Sequence, residues 1–167
     1  MSLPTAPTSE IGPQHHGFAG PIRLSRYTQP HDVLSLTEEL VHLETQARIP
    51  ADMDLTWLAP TLQKPGLELI TASVGGRLVG FIAANLGQDI EMARMVIASA
   101  ALEAHPQLPV VLIDTVLGDC EHPWADVIAP RNFSGLPILL AQRWHPCPER
   151  DGMRENVRLS AAHLGEE

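Results

Sequence analysis

The chain is poor in aromatic residues, cysteine and basic residues, and it has no long apolar run. Each shortage removes a class of protein. Aromatics make up 4% of the residues, so the core has to be assembled from Leu, Ile, Val, Ala and Met, as in many α/β domains. Two cysteines, Cys120 and Cys147, fall far below the density of a disulfide scaffold and fit a reducing environment. Lys and Arg number 11 against 20 Asp and Glu, a formal charge of −9 at pH 7. A sequence-independent grip on nucleic acid needs cations to neutralise phosphates, so no nucleic-acid partner is expected. No stretch approaches the roughly 18 apolar residues of a membrane span. Residues 1–20 also lack the basic segment followed by an apolar one that marks a signal peptide. The expected compartment is the cytoplasm, with no membrane partner.

The 167 residues suffice for one ordinary domain with a real core. Residues 1–20, with Pro4, Pro7, Pro13 and three glycines, bury too little to offset their ordering entropy and read as a flexible tail. His15 and His16 in that tail read as solvated rather than metal-binding. The domain proper is placed at residues 21–148. Residues 149–167 read as a tail or a weak C-terminal helix carrying Met153, Val157 and Leu159.

Within the domain, alternation around Ile22 and Leu24 predicts a first strand ending at Tyr27. Thr28, Pro30 and Asp32 suit a helix start. Val33, Leu36, Leu40 and Leu43 give that helix a buried face down to Gln46, with Glu38, Glu39 and Glu44 on a solvated face. Leu55, Leu58 and Leu62 predict a second, short helix interrupted by Pro60. Residues 67–73, a Val74-Gly75-Gly76 turn and residues 77–85 read as a β-hairpin, with Gly80 marking a bulge or a close backbone approach. Ile90, Ala93, Ile97, Ala100 or Ala101, and Ala104 recur at helical spacing, which predicts a central helix opened by Asp89 and Glu91 and ended by His105-Pro106. Met92 and Met95 on it read as core packing. The apolar run at residues 108–117 fits a strand covered on both faces. A short helix at residues 124–128 and a last strand at residues 136–140 complete the pattern. The fold class is α/β (α+β), a single mixed sheet flanked by helices.

That order, with Ile22-Arg23-Leu24-Ser25-Arg26-Tyr27 and the hairpin from Gly66 to Ala83, resembles the GCN5-related N-acetyltransferase family over roughly residues 21–145. The resemblance implies an acyl-CoA N-acyltransferase-like fold, acetyl-CoA or another acyl-CoA as cofactor, and a small-molecule or protein amine as the acceptor. It also implies, after the hairpin, a fourth strand and then a glycine-rich loop at a helix N-terminus that offers N–H groups to the cofactor's pyrophosphate. Asn85, Gly87 and Gln88 stand where that loop is expected. One glycine is too few for the cradle, and Asp89 and Glu91 bring negative charge to it. The Gly-Phe near the family's last helix is replaced by Asn132-Phe133. The expectation is therefore a degenerate member, active or decayed.

Acyl transfer needs a base near the amine and an acid for the departing thiolate. Asp114, Asp119 and His122, at or after the strand expected at residues 108–117, are the candidates, although polar residues after a strand are usually turn formers. Cys120, His122, His145 and Cys147 form mirrored Cys/His doublets that could supply four zinc ligands, but the one-residue gap within each doublet is unusual and no metal is expected. A non-enzymatic module is the main rival: a roadblock-like or profilin-like adaptor acting as a homodimer. The proline-rich final third favours it, as irregular loops suit an adaptor better than a tidy catalytic sheet. A thioredoxin-like reading of residues 108–140 loses its redox chemistry for want of Cys-x-x-Cys.

Overall fold

The hairpin that the sequence marks most clearly forms the middle of the sheet. In the computed structural model, which describes residues 20–47, 56–118, 125–142, 144–147 and 156–161, strands β2 (Leu67–Val74) and β3 (Arg77–Leu86) pair antiparallel with Val74 opposite Arg77. Gly75 and Gly76 both take positive φ, 59° and 79°, as a two-residue turn matched to the twist of the strands requires. The register shifts beside Gly80. A Cβ on Gly80 would lie 3.2 Å from Ile97 Cγ1 and 3.3 Å from Val96 O, so both of its expected roles are present.

Around this hairpin the elements run β1 (Arg23–Tyr27), α1 (Pro30–Leu34), α2 (Thr37–Gln46), α3 (Leu58–Gln63), β2, β3, β4 (Ile90–Ile97), α4 (Ser99–Ala104), α5 (Leu108–Gly118), β5 (Val127–Pro130), α6 (Leu136–Ala141), β6 (His145–Pro146) and β7 (Asn156–Ser160). The sheet has seven strands in the order β1-β2-β3-β4-β5-β7-β6, and β4 with β5 is its parallel pair.

Several expectations change. Residues 90–97 form a strand, not the first half of a helix. The β3–β4 register shifts between Ala83 and Ala84, which leaves Ala93 without a partner. This bulge breaks the two-residue alternation, so buried Ile90, Met92, Met95 and Val96 no longer show a strand's period. Residues 108–118 form a helix, not a strand: Leu108, Leu112, Ile113 and Val116 are its buried stripe, and Pro109 sits in the first turn, where a missing N–H costs nothing. Residues 136–141 are helical for the same reason at Pro137, whereas the short helix expected at residues 124–128 gives way to β5. In place of a C-terminal helix, Asn156–Ser160 enters the sheet between β5 and β6. The first helix breaks after Leu34 and restarts at Thr37.

The helices cover both faces. Trp57 stacks near Phe81, ring centroids 5.5 Å apart, and Glu44 of α2 reaches Arg94 of β4, which places α2 and α3 on one face. Met95 points the other way: its Cε and Ile113 Cδ1 of α5 both crowd the position a Cβ on Gly135 would take. Leu69, Ile70, Phe81, Ile82, Leu112 and Ile113 form the sealed centre. Among the described residues, no helix is long and apolar enough to cross a membrane.

Candidate functional site

The parallel pairing of β4 with β5 covers two registers, Ile90 with Val127 and Glu91 with Ile128. Beyond them the β4 edge has no neighbouring strand among the described residues. The closed end of this gap is pinned by Arg158 of β7, whose Nη1 donates to Asp89 Oδ2 and Asp126 Oδ2, both at 2.9 Å. These bonds, to Asp126 first and Asp89 second, raise the Arg158 pKa against the opposing effect of burial. The Asp126 N–H in turn donates to Asp89 Oδ1 at 3.3 Å.

On the α3 face, the separation of the strands opens a cleft of about 780 Å³. One wall carries Trp57, Pro60 and Lys64, the floor carries Glu91 and Ala93, and Pro130 to Asn132 form the far side. The Lys64 ammonium lies 2.7 Å from Glu91 Oε1, with both side chains substantially exposed. Asn85, the residue before the last of β3, lies at the inner margin. Its Nδ2 donates to Thr61 O at 3.0 Å, with Lys64 O and Pro65 O at 3.4 and 3.3 Å. This amide holds the end of α3 on the sheet. Beneath the cleft, Glu44 Oε2 accepts from Trp57 Nε1 at 3.1 Å and from Arg94 Nε at 3.2 Å.

The open end of the gap is a smaller and more apolar slot of about 340 Å³, lined in part by Met95, Ile97, Leu102, Pro109 and Ile138. Ala98 N–H donates to Val79 O at 2.9 Å, so by strand alternation the Met95 and Ile97 backbones turn away from β3 and towards the gap. Ser134 Oγ donates to Met95 O at 2.8 Å.

The residues singled out in the sequence are dispersed. Asp114 lies on the exposed side of α5, away from the cleft, because the segment is a helix and not the inner strand. Asp119, Cys120 and His122 lie outside the described residues. His145 is exposed on β6, and Cys147 Sγ donates to Ser160 Oγ at 3.4 Å. The described residues hold no cluster of three or more metal-ligating side chains. Gly87 and Gln88 form the β3–β4 turn, which leads into a strand and not a helix; the segment that follows the fourth strand is residues 98–107. The sequence pattern does not single out Trp57 and Lys64, although a tryptophan in a chain this poor in aromatics is a signal in itself.

No protein-family model and no curated protein sequence matches the chain. Solved structures do. A PaiA N-acetyltransferase from Thermoplasma acidophilum in complex with coenzyme A is 13% identical, with a TM-score of 0.52 over 82% of this chain and 97% of that one. An acyl-CoA N-acyltransferase from Pseudomonas aeruginosa is 12% identical, with a TM-score of 0.56 over 83% and 98%. A ribosomal-protein alanine N-acetyltransferase from Escherichia coli is 10% identical, with a TM-score of 0.55 over 83% and 92%. The fold is therefore that of the GCN5-related N-acetyltransferases, as the sequence resemblance implies, and the adaptor folds are not favoured.

The residues of this chain do not fit the diphosphate of coenzyme A. Residues 98–107 contain no glycine, lysine or arginine, and they carry Glu103. At the start of α5, Leu108 N–H is held by His105 O at 3.0 Å and Pro109 has no N–H, which leaves Val110 alone among the first three residues of the helix. A helix N-terminus binds anions through such N–H groups.

Proposed function

We propose that this chain is an N-acyltransferase-like protein that receives a small amine in the cleft between α3 and the separated strands β4 and β5, without transferring an acyl group from coenzyme A. One observation carries the reading: the cleft wall already accommodates an ammonium, that of Lys64 against Glu91. Lys64 sits on an exposed, flexible stem and can yield its place to a ligand amine. The indole of Trp57 on the same wall adds a surface favourable to cations. A bound amine also agrees with the activities of the structural neighbours, two N-acetyltransferases and an N-acyltransferase.

Calorimetric titration of the full chain with alaninamide and with 1,4-diaminobutane tests this. Saturable binding is expected. It should weaken roughly fivefold or more in Glu91→Gln, the scale of about 1 kcal/mol for one partly exposed ion pair. Binding of neither amine, or equal binding by Glu91→Gln, overturns the reading.

A further inference from the structure

We infer that α4 and the start of α5 act as a plug that makes this chain discriminate against coenzyme A, so that the cofactor's diphosphate contributes no affinity here. The inference concerns the open end of the gap and deepens the reading that no acyl group comes from coenzyme A; amine binding in the α3 cleft stands or falls separately. Three features converge on that end. Residues Ser99–Ala104 are wound into a helical turn closed by Leu102 N–H to Ala98 O at 2.9 Å and His105 N–H to Ala101 O at 2.8 Å. These backbone donors are satisfied within the turn, whereas an anion cradle must present them outward. Pro109 removes the central donor of the first turn of α5, and both Pro109 and Leu102 present apolar surface to the slot. Exposed Glu103 adds the sign of charge that a diphosphate avoids.

Ser134 acts on the same slot from the opposite side. Its hydroxyl takes Met95 O, one of the acceptors that the separated strand would otherwise turn to a ligand lying in the gap. Beside it, a Cβ on Gly135 would stand 2.8 Å from both Ile113 Cδ1 and Phe133 Cε2, so the β5–α6 connection is already packed tightly against the core and cannot move further inward. Burying a charged diphosphate among these groups would strip its water without replacing it.

The test compares coenzyme A binding by wild type and by the variant E103K/P109A, which restores a first-turn N–H and reverses the nearby charge. Calorimetry on the wild-type chain is expected to give no saturable heat with coenzyme A at millimolar concentration. The variant, with its folding checked by thermal melting, is expected to gain affinity by roughly tenfold or more. E103K alone, on an exposed position, should show a smaller gain in the same direction and serves if the double variant does not fold. Micromolar binding of coenzyme A by wild type overturns the inference, as does a folded E103K variant with no gain at all.

Discussion

Glu44 and Arg94 lie 50 residues apart in sequence and meet at 3.2 Å between Oε2 and Nε, with the Glu44 side chain fully buried and that of Arg94 11% exposed. The pair joins α2 to β4 beneath the cleft and takes Trp57 Nε1 as a third member. Among the described residues it is incompletely satisfied: Glu44 Oε1 and Arg94 Nη2 find no hydrogen-bond partner there. Desolvation therefore offsets much of the attraction, and the pair specifies position more than it adds stability.

Removing one member should be far worse than removing both. Arg94→Met leaves a carboxylate buried and uncompensated, and is expected to cost about 3–5 kcal/mol in urea unfolding. The double variant E44L/R94M should recover most of that loss. If the double variant is as unstable as Arg94→Met alone, the pair is not the cause.

Arg158 ties β7 to the closed end of the gap. Arg158→Met should destabilise by about 2 kcal/mol, the scale of hydrogen bonds to charged partners. The pH dependence follows from its raised pKa. A base with a raised folded-state pKa contributes fully below its unfolded pKa, and the contribution is lost only as pH rises through the folded value. The stability difference between wild type and variant should thus stay constant from about pH 7 to about pH 10. A loss of that difference within the window would mean that another group carries the link.

Gly66 and Gly76 share a φ of 79° but differ in surroundings. A Cβ at Gly66 would lie 2.0 Å from Leu86 O, while one at Gly76 meets nothing within 4 Å. Gly76→Ala should therefore cost only the left-handed backbone strain, about 1 kcal/mol. Gly66→Ala should cost well over 2 kcal/mol, because Leu86 N–H also bonds to Gly66 O at 2.8 Å and the backbone has no room to shift. Equal melting temperatures for the two variants would contradict the close approach.

Lys64→Ala separates stability from binding. The Lys64–Glu91 pair is exposed on both sides, so its loss should change unfolding free energy by less than about 0.5 kcal/mol. Amine binding should tighten, because the ligand no longer competes with Lys64 for Glu91. Weaker amine binding in Lys64→Ala would show that Lys64 contacts the ligand instead of standing in its place.

Much of the first half of the fold was legible in the sequence because its signals are local. The Gly75-Gly76 turn needs only its own backbone, and Val33, Leu40 and Leu43 declare a buried face within four turns of helix. The second half misleads for identifiable reasons. The Ala93 bulge gives Ile90, Ala93 and Ile97 a helix-like spacing inside a strand. Val110 and Val111 give α5 the composition of a strand, although Pro109 and the spacing of Leu108, Leu112 and Val116 mark a helix. The shift of one strand moves the expected anion loop from Asn85, Gly87 and Gln88 to residues 98–107.

The sequence alone determined the mixed α/β class and the central hairpin, because composition and short-range spacing are properties of the chain itself. Only the tertiary structure decided that Glu44 is buried and not solvated, that β4 and β5 part after two registers, and that Lys64 lies against Glu91 on the wall of a cleft. Each of these depends on which distant residue arrives beside another. Burial, pairing and the shape of a gap are relations between segments, and a local pattern does not contain them.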